Sequence, residues 1–224
     1  MALAENLAAI RARIADAASR SGRDPSQVRL IAVTKTFPPS ACEEALRAGV
    51  TDLGENYPAE LKDKAPTLPG AVWHFLGPLQ SGTVRNVADH ANWVHTIAPG
   101  SALSRLGSRA TRSGRSLRGL LQVDFAGRGH GVEPRDLAAA VEECSRVPGV
   151  TLEGLMTLPP LGESAEDARP WFRRLREMLD EQQEQHPQLV ELSMGMSLDY
   201  EVAIEEGATM VRIGTALFGE RDKR

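Results

Sequence analysis

Eight short apolar runs, rich in β-branched residues, recur along this chain, and a helix-competent stretch separates each from the next. Read as strands, they are Arg29 to Lys35, Asp52 to Asn56, Val72 to Gly77, Trp93 to Ile97, Gly119 to Phe125, Leu152 to Leu158, Glu191 to Gly195 and Met210 to Gly214. The helices between them fall near Pro39 to Ala48, Pro58 to Lys64, Ser81 to His90, Ser101 to Ser113, Pro134 to Arg146, Ala165 to Gln185 and Leu198 to Glu206. Ahead of the first strand, Leu3, Leu7, Ile10, Ile14 and Ala17 recur at steps of three and four, which predicts an amphipathic helix ending near Ser21-Gly22. This alternation suits a closed barrel better than an open sheet. The expected fold is an α/β single-domain (β/α)8 TIM barrel over residues 1–224, with an extra N-terminal helix over 1–22. No Pro-, Gly- or Ser-rich linker divides the 224 residues.

A barrel of this kind does its chemistry at the carboxyl ends of its strands. Lys35 ends the first strand, Asn56 the second, Gly77 follows the third, and Gly214-Thr215 closes the eighth, so these residues converge on one mouth. In a strand, Ile31, Val33 and Lys35 share a face. An amine at the edge of an apolar interior is poorly hydrated, which disfavours its charged form and makes it a nucleophile suited to Schiff-base chemistry. The alternative is a lysine that turns out into water at the strand end.

Met210, Arg212 and Gly214 share a face of the last strand, which points Arg212 into the barrel. An inward arginine needs an acceptor: a carboxylate in a structural ion pair, a ring nitrogen or a phosphate. Gly214-Thr215 offers backbone N–H groups and a hydroxyl, and Ser197 sits on the neighbouring loop, where barrels commonly hold phosphate. Ser197 also reads as a helix N-cap. His74, between Trp73 and Phe75, reads as a hydrogen-bonded core histidine or a cavity residue, and Met156 as core filling or a cofactor contact.

Other chemistries find little support. The formal net charge of -4 offers no electrostatic footprint for nucleic acid. Arg105 to Arg118 places several arginines on one helical face and reads as a solvated surface. No HExxH or paired Cys/His spacing suggests a metal, and no GxSxG, P-loop or strand-borne GxGxxG occurs. Gly127 to Gly131 reads as a flexible loop. Cys42 and Cys144 are the only cysteines and are expected to be reduced thiols in a cytoplasmic protein; neither a signal peptide nor a membrane span is expected.

The segments Ala32-Val33-Thr34-Lys35-Thr36, Leu53-Gly54-Glu55-Asn56-Tyr57, Trp73 to Gln80, Gly154-Leu155-Met156, Leu192 to Ser197 and Val211 to Gly219 together resemble the pyridoxal 5′-phosphate homeostasis protein family, whose barrel is that of the alanine racemase N-terminal domain. The resemblance spans nearly the whole chain. It implies that Lys35 forms a covalent aldimine with pyridoxal 5′-phosphate, that Arg212 faces the pyridine nitrogen, and that Ser197, Gly214 and Thr215 hold the phosphate. Asn56, His74 and Met156 would line the cofactor. At Val123 to Gly131 the chain departs from the family, many of whose members carry an asparagine and a lysine before the glycine.

Three functions are then open. The first is a monomeric carrier that sequesters the cofactor and delivers it to PLP-dependent apo-enzymes without robust catalysis. The second is a weak amino-acid racemase. Racemisation needs a base on each face of the substrate carbon, which the racemase obtains from a tyrosine of a C-terminal domain. This sequence ends at Arg224, and its only tyrosines are Tyr57 and Tyr200. The third is a barrel that binds another phosphorylated metabolite, with Lys35 as a counter-ion.

Overall fold

Leu3, Leu7, Ile10 and Ile14 are all buried along one side of the first helix, α1 (Ala2–Arg20), as their spacing requires of an amphipathic helix laid on a core. The computed structural model describes residues 2–219; residues 1 and 220–224, which the sequence reading also assigns to the domain, lie outside the described residues. After α1 the chain alternates through β1 (Arg29–Val33), α2 (Pro39–Arg47), β2 (Asp52–Glu55), α3 (Pro58–Lys64), β3 (Val72–Phe75), α4 (Val84–His90), β4 (Trp93–Ile97), α5 (Ser101–Arg112) and β5 (Leu117–Val123). It continues through α6 (Leu137–Ser145), β6 (Val150–Thr157), α7 (Arg169–Gln183), β7 (Glu191–Ser193), α8 (Tyr200–Glu205), β8 (Met210–Ile213) and the short α9 (Thr215–Phe218). All neighbouring strands pair in parallel, and β8 returns to β1 to close the barrel, with Ile31 opposite Arg212.

The period-2 alternation of each strand divides its side chains between two layers. Outward residues such as Ala32, Leu53, Phe75, Val94, Leu121 and Leu155 pack under the helices in the larger apolar core. Inward residues Ile31, Trp93, Leu120, Met156 and Met210 form a smaller cluster that fills the barrel. Its amino-terminal end is closed by charge: Arg29 lies 3.6 Å from Asp52 and 3.7 Å from Glu191, while Arg118 pairs with Glu153 and its guanidinium sits 3.9 Å from the Trp93 ring centroid. The cavity end is left to the loops after the strands.

Seven of the eight strands stop one or two residues short of their predicted ends, β4 alone matching, and β5 and β6 also start two residues earlier than predicted. Lys35, Asn56, Gly77 and Gly214 therefore stand just beyond the ladders. Arg115 and Arg109, read from the sequence as a solvated face, grip α4 from α5 and its following turn: Arg109 makes a bidentate pair with Asp89 at 2.8 and 2.6 Å, and Arg115 donates to the Asp89 and Ala91 carbonyls. Among the described residues no helix is long and apolar enough to cross a membrane.

Candidate functional site

The carboxyl ends of the strands surround a cavity of about 580 Å³. Lys35, Asn56, Met156, Ser197, Arg212, Gly214 and Thr215 line it, so seven of the eight residues singled out from sequence meet in one place. The strand periodicity accounts for Lys35, Asn56, Met156, Arg212 and Gly214, because residues of equal parity point into the barrel and the last of each set reaches its rim, while Ser197 and Thr215 arrive on the segments after β7 and β8. Met156 belongs to the inner cluster and also forms part of the cavity wall.

Lys35 is half-buried, two residues past the end of β1, in a turn that the chain holds from several sides. Thr36, next to it, has φ 67°, the only positive φ of a non-glycine residue among those described. A β-branched residue in that region costs on the order of 1–3 kcal/mol and persists only where its surroundings fix it. Here the Thr36 N–H donates to Glu60 Oε2 at 2.8 Å, and the Phe37 N–H closes the turn onto the Thr34 carbonyl at 3.0 Å. Behind the turn, Lys64 Nζ donates to the Thr34 carbonyl at 2.9 Å, to Glu55 Oε1 at 2.7 Å and to Glu60 Oε2 at 2.6 Å, and the Thr34 hydroxyl donates to Glu55 at 2.6 Å. The buried Glu55–Lys64 pair thus anchors Thr34, and Glu60, bonded to the same amine, anchors Thr36 on the other side of Lys35. Glu55, Glu60 and Lys64 were missed from sequence; the one available signal was Glu60 and Lys64 at i,i+4 on a predicted helix.

Arg212 is buried, with Nη1 donating to Ser193 Oγ at 2.6 Å and Nη2 to the Thr157 carbonyl at 3.0 Å. Burial lowers its pKa to about 10, with the Asp199 carboxylate working against that shift, so the guanidinium stays charged at neutral pH. No carboxylate pairs with it directly among the described residues, which sets aside the structural ion pair as the reason for an inward arginine.

At the ends of β7 and β8, Ser197 reaches between the last two loops: the Thr215 hydroxyl and the Ala216 N–H both lie 3.4 Å from its Oγ. The N-cap position of α8 is Asp199, so capping does not account for Ser197 as the sequence allowed; Asp199 instead accepts from the Met196 N–H at 2.6 Å and ties the loop. A Cβ at Gly214 would meet Val33 only at an ordinary 3.5 Å, so packing within the chain does not demand glycine on this cavity wall. Gly77 differs: a Cβ there would fall 2.0 Å from the Asn56 carbonyl oxygen, so its role is to let the β2 and β3 loops touch and fix Asn56.

His74 is the exception among the eight residues. It is fully buried inside the barrel beneath the cavity, stacked on Trp93 with ring centroids 5.7 Å apart, and its ring nitrogens lie 2.9 Å from Asp52 Oδ1 and 2.9 Å from His95 Nε2. It is absent from the cavity wall, which is the geometry of the hydrogen-bonded core histidine. The loop after β5, expected to be flexible, is wound around one carboxylate. Asp124 accepts from the N–H groups of Ala126, Gly129 and His130, and Gly127, Gly129 and Gly131 take positive φ to allow it. Arg128 of this loop joins the cavity wall.

The interior histidines are expected to contribute a loss of stability as pH falls. Burial lowers both His74 and His95, the latter well below its ordinary value, with Asp52 opposing the shift at His74 and Arg29, Arg118 and Arg212 adding to the shifts. The unfolded chain therefore binds protons below about pH 6.5 that the native barrel refuses, and stability falls with decreasing pH by up to about 1.4 kcal/mol per pH unit for each histidine. Glu55 and Asp199, raised by burial, act with the opposite sign. The histidine contribution is thus read as a difference: urea unfolding from pH 7 to 5 is expected to give a steeper acid loss for the wild type than for His95→Gln, and equal slopes would refute it.

Residues 6–222 match the family model for the alanine racemase N-terminal domain. The chain is similar to a pyridoxal phosphate homeostasis protein of Pseudomonas aeruginosa, 44% identical over 98% of this chain and 96% of the relative. It is also similar to the protein of that name from Escherichia coli K12, 40% identical over 98% and 97% of the two chains. Among solved structures, PipY of Synechococcus elongatus, determined with PLP bound, superposes with a TM-score of 0.85 at 39% identity, covering 97% of this chain and all of that one.

Proposed function

The chain belongs to the pyridoxal phosphate homeostasis protein family, built on the alanine racemase N-terminal barrel, and on that premise we propose that it binds pyridoxal 5′-phosphate in the cavity at the carboxyl end of the strands and carries it covalently on Lys35. The observation that carries this reading is the set of groups on one cavity wall: an amine, a charged guanidinium, and two hydroxyls beside backbone N–H groups. That donor set matches an aldehyde, a pyridine nitrogen and a phosphate in turn. Ser197, Gly214 and Thr215 would hold the phosphate, Arg212 would face the ring nitrogen, and Asn56 and Met156 would bound the ring. His74 would act from behind the wall.

The role is that of a carrier serving intracellular cofactor homeostasis, with PLP-dependent apo-enzymes as recipients. Bound pyridoxal phosphate supplies an electron sink for carbanion chemistry, which is strongest when its ring nitrogen is protonated. Arg212 can only donate and keeps its own proton, so it leaves that nitrogen unprotonated. A tyrosine base for racemisation is also lacking on the wall among the described residues: Tyr200 is buried in the outer core, Tyr57 is half-exposed, and neither lines the cavity. The proposed carrier is a monomer, and its two buried free cysteines suit a reducing cytoplasm.

Equilibrium dialysis against pyridoxal phosphate tests the reading, with saturable binding near one equivalent expected. Thr215→Ala is expected to weaken retention by about 0.5–1.5 kcal/mol, roughly twofold to tenfold, with Thr215→Ser close to wild type. Unchanged affinity in Thr215→Ala would remove the phosphate from these two loops.

A further inference from the structure

Arg212 does not end its interactions at Ser193. Ser193 Oγ lies 2.8 Å from His95 Nδ1, His95 Nε2 lies 2.9 Å from His74 Nδ1, and His74 Nε2 lies 2.9 Å from Asp52 Oδ1. Asp52 opens β2 at the closed, amino-terminal end of the barrel, so five side chains from β2, β3, β4, β7 and β8 form one line from that end to the cavity wall. With both histidines neutral, as burial favours, the chemistry of its two ends fixes every proton between them. An arginine only donates and a carboxylate only accepts. Ser193 accepts from Arg212 and must turn its own hydroxyl proton to His95 Nδ1. His95 then carries its proton on Nε2 and donates to His74 Nδ1, and His74 carries its proton on Nε2 and donates to Asp52.

We propose that Asp52, His74, His95 and Ser193 are positioning residues for Arg212, forming a one-way hydrogen-bond chain that locks its guanidinium against the cavity wall and links its charge to a carboxylate at the far end of the barrel. This answers why an arginine with no direct carboxylate partner among the described residues can sit charged in the interior: each link is polarised in the same sense, and such chains strengthen their members. It also gives His74, His95 and the buried Ser193 a common task. The chain tolerates only neutral histidines. A second proton on His74 would force the His95 proton onto Nδ1, reversing that link and leaving Ser193 to accept from both neighbours with its own proton turned away from the chain. Arg29, Arg118 and Arg212 surround the pair with positive charge that resists this, Asp52 is the carboxylate opposing them, and Glu191 is engaged with Arg29.

Side-chain 1H–15N spectra of the 15N-labelled protein without cofactor at neutral pH test the chain directly. Both histidines are expected to be neutral with the proton on Nε2, assigned by loss of one signal set in His95→Gln. A charged ring, or a proton on Nδ1 of either histidine, would overturn the proposal. The second arm rests on the cofactor reading above. Asp52→Ala, at the opposite end of the barrel from the cavity, is expected to release His74 and His95 from a single tautomer, shift the Arg212 Nε–H resonance and speed pyridoxal phosphate release about twofold to tenfold. An Asp52→Ala protein whose His95 and Arg212 signals match the wild type would reduce Asp52 to a local contact of Arg29. Ser193→Thr, which keeps the hydroxyl, should retain the wild-type release rate that Ser193→Ala loses. Failure of the wild type to bind pyridoxal phosphate at all would refute the cofactor reading and leave the tautomer result standing.

Discussion

A Lys35→Ala protein is expected to fold as the wild type does and to capture no pyridoxal phosphate covalently. The turn that presents Lys35 is held by groups other than its side chain: the Thr34 N–H donates to the Gly54 carbonyl at 2.9 Å, the Thr34 hydroxyl to Glu55, the Thr36 N–H to Glu60, and Phe37 packs on Phe218 with ring centroids 4.9 Å apart. Removing a half-buried side chain from that frame leaves the stability within about 1 kcal/mol. The chain has four lysines, Lys35, Lys62, Lys64 and Lys223, so the covalent alternatives are few. Lys64 is closed off by its two carboxylates and a carbonyl, and neither it nor Lys62 lines the cavity; Lys223 lies outside the described residues. Intact mass after borohydride treatment with one equivalent of cofactor reads the result. The wild type should gain one reduced cofactor, mapped to the peptide containing Lys35, and the variant none. A variant that keeps the adduct would place the attachment on another lysine.

Most of the barrel was legible because a parallel strand buried on both faces writes itself as a short apolar run, and a following helix resets the pattern. Parity within each run was equally legible, and it alone brings Lys35, Asn56, Met156, Arg212 and Gly214 to the cavity. Strand ends were less so. Side-chain alternation continues past the last ladder bond, so Lys35 and Gly214 read as strand although β1 stops at Val33 and β8 at Ile213. Arg118 and Thr151 disguised the starts of β5 and β6, since a charged residue at the closed end of a barrel looks like a loop residue until its partners Glu153 and Trp93 are known.

Depth inside the barrel was not readable at all. His74 has the parity of a cavity residue, yet the stagger between strands places it beside Trp93 and beneath the wall, and stagger follows from closure of the whole sheet rather than from any local pattern. The same limit hid the line from Asp52 to Arg212, whose five members come from five strands. What the sequence could not separate, for each of these polar residues, was contact with a ligand from support of the residue that contacts it.

The buried Glu55–Lys64 pair carries the other large expected effect. Burial works against the charge on Lys64, but hydrogen bonds to Glu55 and Glu60 outweigh it and hold the amine protonated; burial pushes Glu55 up, which Lys64 and Thr34 only partly offset. Glu55 Oε2 has no hydrogen-bond partner among the described residues, so the pair already lacks one bond that full compensation would need. Lys64→Met keeps the apolar stem and removes the amine, stranding a carboxylate between the barrel and α3. Breaking one side of a buried pair costs about 3–5 kcal/mol, which for a chain of this length lowers Tm by roughly 6–20 °C. Because Glu55 would then favour its protonated form more strongly in the folded than in the unfolded state, the variant should regain stability as pH falls towards the ordinary glutamate value, narrowing its gap from the wild type. Adding Glu55→Gln to Lys64→Met removes the stranded charge and should recover most of the loss at pH 7, a coupling that a double-mutant cycle reads directly. The two acidic anchors of the Lys35 turn act through the same amine, so Lys64→Met should also loosen Thr36 from its left-handed conformation and slow covalent capture on Lys35. A Lys64→Met protein as stable as the wild type at pH 7 would mean that Glu55 is already protonated in the native barrel and that no ion pair supports the turn.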